Sequence, residues 1–155
     1  MRIDWKKLIG CLFLPLAVGG LATVLSGGMD SYGTIDQPPL SPPGWIFPVV
    51  WTALYLLMGY ASYLVLTSGT EPAAIRRAWI FYGSQLLANF IWPLLFFGGE
   101  LYFASLLWII VLWILVAFTI WAFSKVNERA GDLLIPYILW ITFATYLNLG
   151  VYLRN

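Results

Sequence analysis

The chain contains no histidine and one cysteine, Cys11. The first absence removes the side chain most used for metal and haem ligation and for proton transfer near neutral pH. The second excludes an internal disulfide framework. Charge is scarce too: 10% of the 155 residues are charged, against about 25% in soluble domains. With a formal net charge of +1, nothing resembles a basic stripe for a nucleic acid. No Asp, Glu, Lys or Arg falls in the middle of a long apolar run. Ion and proton pathways run past buried charges, so this weighs against a pump, an ion channel or a proton-coupled transporter.

What remains is apolar and aromatic. At 61% hydrophobic, the chain reads as an integral membrane protein of one domain, residues 1–155. A hydrocarbon core about 30 Å thick needs about 20 apolar residues in a helix, and five runs qualify: residues 8–26, 45–67, 78–97, 101–124 and 133–153. The expected fold is therefore an all-α bundle of five transmembrane helices. Leu8-Ile9-Gly10-Cys11 has the outline of a lipoprotein cleavage box, but Lys6 and Lys7 precede it and the apolar run follows it. Cys11 is read as an ordinary residue of the first span.

Basic residues orient the spans. Arg2, Lys6, Lys7, Arg76, Arg77, Lys125 and Arg129 fall on one side of the alternation, and Arg154 alone on the other. Positive residues favour the cytoplasmic side. The amino terminus is thus expected in the cytoplasm, with the carboxyl terminus, the first loop, Asp30 and Asp36 on the extracytoplasmic face.

That first loop is proline-rich. Pro38, Pro39, Pro42, Pro43 and Pro48 crowd the entry to the second span. Proline fixes φ and lacks an N–H, so the cluster predicts a stiff non-helical segment followed by a helix start. Trp51 and Tyr55, four residues apart, share a face of that helix. A stiff loop over an aromatic-lined helix suits a lidded pocket for a flat, apolar ligand. Of nine tryptophans, Trp5, Trp45, Trp79 and Trp121 lie near span ends, where an interfacial belt is expected. Trp51, Trp92, Trp108, Trp113 and Trp140 lie deeper.

Asn89 and Trp92 share a face of the third span; Trp140, Ala144 and Asn148 share a face of the fifth. Lipid offers an amide no partner. Asn89 and Asn148 therefore have two open readings, as hydrogen bonds between helices or as contacts to a ligand's polar edge.

Pro42-Pro43-Gly44-Trp45-Ile46-Phe47 with Trp51, Leu54 and Tyr55, then Asn89-Phe90-Ile91-Trp92 running to Phe96-Phe97, then Pro136-Tyr137-Ile138-Leu139-Trp140 with Phe143, Ala144 and Asn148, resembles the TspO family. Its members are called tryptophan-rich sensory proteins, translocator proteins or peripheral-type benzodiazepine receptors. The likeness runs from about Tyr32 to Asn148. It implies five packed spans, commonly a homodimer, and a pocket open toward the first loop that binds porphyrins and benzodiazepine-type ligands. By position, pocket candidates are Tyr32, Pro42, Pro43, Phe47, Trp51, Tyr55, Asn89, Trp92, Ile109, Trp140, Ala144 and Asn148. Members often carry one more tryptophan before the double proline, where this chain reads Pro39-Leu40-Ser41.

The resemblance implies a membrane receptor or sensor for tetrapyrroles, with protoporphyrin IX as ligand, no required cofactor and no metal site. A flat ring would stack on Trp51 and Trp140. A second reading is light- and oxygen-dependent porphyrin breakdown, with Trp51 and Trp140 as redox partners; a third is a ligand-modulated scaffold or transporter. Leu149, Tyr152 and Arg154 fit the loose sterol-recognition pattern, which interfacial anchoring would also produce. For the dimer seam, Ser84 and Ala88 form a small-residue step in the third span, and Gly19, Thr23 and Gly27 a similar one in the first.

Overall fold

The computed structural model describes residues 2–28 and 32–155. Asp30 lies outside the described residues. The elements are α1 (Trp5–Ser26), α2 (Ile46–Leu66), α3 (Pro72–Pro93), a π-helical turn (Leu94–Gly98), α4 (Tyr102–Val126), a short α5 (Glu128–Asp132) and α6 (Ile135–Arg154). Five helices are long and apolar enough to cross a membrane, α3 being continued by the π turn and α5 leading into α6.

Local chemistry sets most boundaries. Asp4 caps α1 by accepting from the Lys7 N–H at 3.2 Å, and Gly27 ends it with φ 84°, a conformation that favours glycine. The third helix begins at Pro72, six residues before the apolar run, because proline suits a first helical turn. Arg76 and Arg77 therefore stand on α3 rather than in a loop. Pro93 cannot donate to the turn before it, and the ladder slips: Gly99 N–H reaches Leu94 O at 2.8 Å and Leu101 N–H reaches Leu95 O at 2.9 Å. Asn127 then caps α5 through the N–H groups of Arg129 and Ala130.

The helices pack principally as α3 on α4, α1 on α2 and α4 on α6. Close approach needs small residues. A β-carbon on Gly59 would lie 2.7 Å from Leu12 Cα, and one on Gly19 2.2 Å from the Tyr55 ring. Between α2 and α6 the contact is made by rings: Phe47 and Trp51 from α2 meet Trp140 and Tyr137 from α6. The outer surface is apolar, with Phe13, Val24, Leu87, Leu139 and Leu153 exposed. A water-soluble domain would bury such residues; in hydrocarbon they face a matching solvent.

Two sequence expectations change. Trp5, Trp45 and Trp121 are exposed at helix ends, but Trp79 is packed edge-on against Tyr82 at 5.2 Å and its Nε1 is buried. The Ser84–Ala88 step does not form one outward strip. Ala88 is 3% exposed, and its carbonyl accepts from Trp108 Nε1 of α4 at 2.8 Å. Gly19, from the other proposed strip, packs on Tyr55 of its own chain.

Candidate ligand-binding site

The proline-rich loop is strapped across one end of the bundle. Tyr146 Oη of α6 donates to Pro39 O at 2.6 Å. Asn155 Nδ2 donates to Asp36 O at 2.8 Å, and its Oδ1 accepts the Asp36 N–H at 3.2 Å. Pro38 lies on Gly150 so closely that a β-carbon there would be 2.3 Å from the proline Cγ. Within the loop, Ser41 Oγ donates to Pro38 O at 2.7 Å, Gln37 Nε2 to Tyr32 O, and Tyr32 Oη to Pro42 O at 2.5 Å. Burial raises the Tyr32 phenol above its ordinary pKa. The Tyr32 ring rests edge-on against Phe47 at 4.9 Å, coupling the loop to the first turn of α2.

Beneath this end lies a cavity of about 120 Å³. One wall is small and belongs to α1: Gly19, Ala22, Thr23 and Ser26. The opposite walls are aromatic, with Phe47, Trp51 and Tyr55 from α2, Trp92 from α3, Phe97 from the π-helical turn, and Trp140 beside Ala144 from α6. Trp51 stacks on Tyr55 (5.5 Å, 28°) and meets Trp140 at right angles (6.5 Å, 90°). The two indoles thus form a corner, so a planar ligand lying flat on one presents its edge to the other. Phe47, Trp92, Phe97 and Ala144 also border a second cavity of about 20 Å³ directly under the loop, where Tyr32, Gln37, Ser41 and Asn148 add polar atoms.

A hydrogen-bond chain supports the aromatic wall. Tyr55 Oη donates to Asn89 Oδ1 (3.0 Å), Asn89 Nδ2 to Tyr137 Oη (2.7 Å), and Tyr137 Oη to Gln85 Oε1 (2.7 Å). All four side chains are buried. Asn148 accepts from Trp92 Nε1 and donates to Tyr102 O, each at 3.0 Å. Of the two readings open for the asparagines, the structure fills the interhelical one: each amide ties α3 to another helix. Trp92, Trp108 and Trp113 all donate Nε1–H to protein acceptors. Trp140 Nε1, like Trp79 Nε1 away from the cavity, is buried and meets no acceptor among the described residues.

A profile of the TspO/MBR family matches residues 11–153. The chain belongs to the TspO/MBR family. It is 37% identical over 147 residues to the tryptophan-rich protein TspO of Chlorobaculum tepidum, covering 94% of this chain and 93% of that one. It is 35% identical over 152 residues to a tryptophan-rich sensory protein of Cereibacter sphaeroides, covering 96% and 90%. It is 36% identical over 161 residues to the human translocator protein, covering 100% and 94%.

Within this TspO/MBR fold, the candidates Phe47, Trp51, Tyr55, Asn89, Trp92, Trp140 and Ala144 surround the larger cavity, while Tyr32 and Asn148 border the smaller one. Pro42 and Pro43 line neither; their carbonyls accept from Tyr32 Oη and Ile46 N–H and hold the loop against the α2 start. Ile109 is away from both as well, 1% exposed in the packed core. Leu149, Tyr152 and Arg154 point outward, Tyr152 tilting against Phe103 at 5.2 Å. Sequence reasoning missed the α1 wall and the central role of Tyr137. The signal for the first was visible, since Gly19, Ala22 and Ser26 make a small-residue face at helical spacing, but that pattern does not say what it packs against.

Proposed function

We propose that this TspO/MBR protein is a membrane sensor or translocator whose ligand is a flat, largely apolar molecule of the tetrapyrrole class. Protoporphyrin IX is the working example. The observation carrying this reading is the Trp51–Trp140 corner: a planar face for stacking beside the buried Trp140 Nε1–H, which meets no acceptor among the described residues. A ligand bearing carbonyl or carboxylate oxygens supplies what the wall lacks. The names of the relatives, sensory and translocator protein, support the membrane role.

Drug-sized pockets span about 300–1,000 Å³, well above the 120 Å³ here. Tetrapyrrole entry therefore needs the strapped loop to lift and the two cavities to merge by movement of Phe47. Fluorescence-quench titration of protoporphyrin IX into the detergent-solubilised protein tests the reading. Trp51→Ala and Trp140→Ala should each weaken binding by about 1–3 kcal/mol, the range for ring stacking on aromatics. Trp113→Ala, on the outer face, should leave it near wild type. Equal losses at all three positions would refute a stacking site.

A second reading, photo-oxidative breakdown of the bound ring by light and oxygen, draws on the two oxidisable indoles 6.5 Å apart at the cavity wall. Product analysis after illuminating the complex, beside a dark control and a Trp51→Phe variant, separates breakdown from binding alone.

A further inference from the structure

At the opposite end of the bundle from the strapped loop, two cations converge on one indole. Arg77, in the second turn of α3, holds its guanidinium carbon 5.5 Å from the Trp121 ring centroid. Lys125, in the last turn of α4, holds its ammonium 6.0 Å from the same centroid. Glu71, Glu128 and Asp132 lie in the adjoining turns, yet among the described residues the only ion pair is Lys7 with Asp4 at the first helix. Two like charges share a ring and neither has a carboxylate. Each gains from the face of the indole, and among the described residues no carboxylate pairs with either.

The surroundings select the class of counter-ion. Trp121 is 47% exposed at a helix end, the depth at which indoles sit among lipid headgroups. One turn deeper on α4 lies Phe118 and one further Ile114, both exposed; Ile80 is exposed one turn deeper on α3. Phe118 stacks on Phe81 of α3 at 5.5 Å, closing the seam between the helices. A charged mouth thus continues into an apolar track running along the membrane. A free anion would use only the mouth, whereas an amphiphile uses both.

We propose that Arg77, Trp121 and Lys125 form a binding site for the phosphate of an anionic phospholipid, with its acyl chain along Phe118 and Ile114. The phosphate sits between the two cations and accepts from the guanidinium, and the glycerol region covers the indole. This site is separate from the aromatic cavity, at the end of the bundle away from the loop, and does not depend on what that cavity binds.

Native mass spectrometry of the full-length protein, released from micelles doped with equal phosphatidylglycerol and phosphatidylcholine, tests it. The wild type should retain phosphatidylglycerol preferentially. Arg77→Gln and Lys125→Gln should each reduce that preference about fivefold, the effect of one cation near an anionic lipid surface. Arg77→Lys with Lys125→Arg should keep it, as should Arg76→Gln, which removes the neighbouring charge that faces no indole. A wild type without preference, or a double glutamine variant that keeps it, overturns the site. In a parallel thermal-unfolding arm, phosphatidylglycerol should raise the Tm of the wild type while millimolar inorganic phosphate does not. An equal rise with phosphate would make the site one for a soluble anion and overturn the lipid assignment. If the glutamine variants do not fold, the wild-type lipid preference and the phosphate arm still decide.

Discussion

Gly19 of α1 and Tyr55 of α2 touch so closely that a β-carbon at position 19 would fall 2.2 Å from Tyr55 Cε2 and 2.9 Å from its Oη. That hydroxyl is the one bonded to Asn89. The missing side chain of one residue therefore sets where the cavity wall and the start of its hydrogen-bond chain can stand.

Gly19→Ala should consequently push the Tyr55 ring off Asn89. Overpacking a tight contact costs about 1–3 kcal/mol, so the Tm in mild detergent should fall and protoporphyrin titration should weaken. Gly20→Ala, beside it but with open space around its β-carbon, should leave Tm unchanged or slightly raised through helix propensity. Equal behaviour of the two would remove the Gly19–Tyr55 contact from the account.

Tyr137→Phe removes a hydroxyl that accepts from Asn89 and donates to Gln85. Two buried amide groups then lose a partner in a place where neither water nor lipid can replace it. A loss of about 1–3 kcal/mol is expected, read as a lower Tm. Tyr60→Phe, on a partly exposed ring, is the comparison and should cost much less.

The loop strap should open before the bundle does. Tyr146→Phe together with Asn155→Ala removes the three bonds that tie Pro39 and Asp36 to α6. Local opening is reported by amide exchange, so exchange at Ile35–Gln37 and Leu40 should quicken while the α3–α4 core stays protected. Ligand association should quicken as well if lifting of the loop limits entry. Unchanged exchange in the loop would show that Pro38 on Gly150 holds it alone.

Orientation is accessible to labelling. In a Cys11→Ala background, a cysteine at Ser41 should react with an impermeant maleimide from outside intact cells, and one at Ser68 only after permeabilisation. The reverse pattern would place the strapped loop, and with it the entrance to the cavity, on the cytoplasmic side.

The amino-acid sequence alone determined the class of this protein and its five spans, because length and apolar content suffice to recognise a helix that crosses hydrocarbon. It also carried the motifs of the TspO/MBR family, including seven of the side chains around the cavity. It did not reveal which face of each helix turns inward. In water, the polar face of a helix marks the outside; here both faces are apolar, so periodicity loses that information. Ile109 was assigned to the pocket by the family resemblance and lies in the core, Trp79 was assigned to the interface and is half-buried against Tyr82, and Ala88 was assigned to an outer seam and meets Trp108. Small residues likewise announced close approach without naming the partner, and only tertiary packing paired Gly19 with Tyr55 and Gly150 with Pro38. The same limit governed the amides. Burial in a bundle guarantees Asn89 and Asn148 a hydrogen-bond partner, but the three-dimensional arrangement decided that those partners are Tyr55, Tyr137, Trp92 and Tyr102.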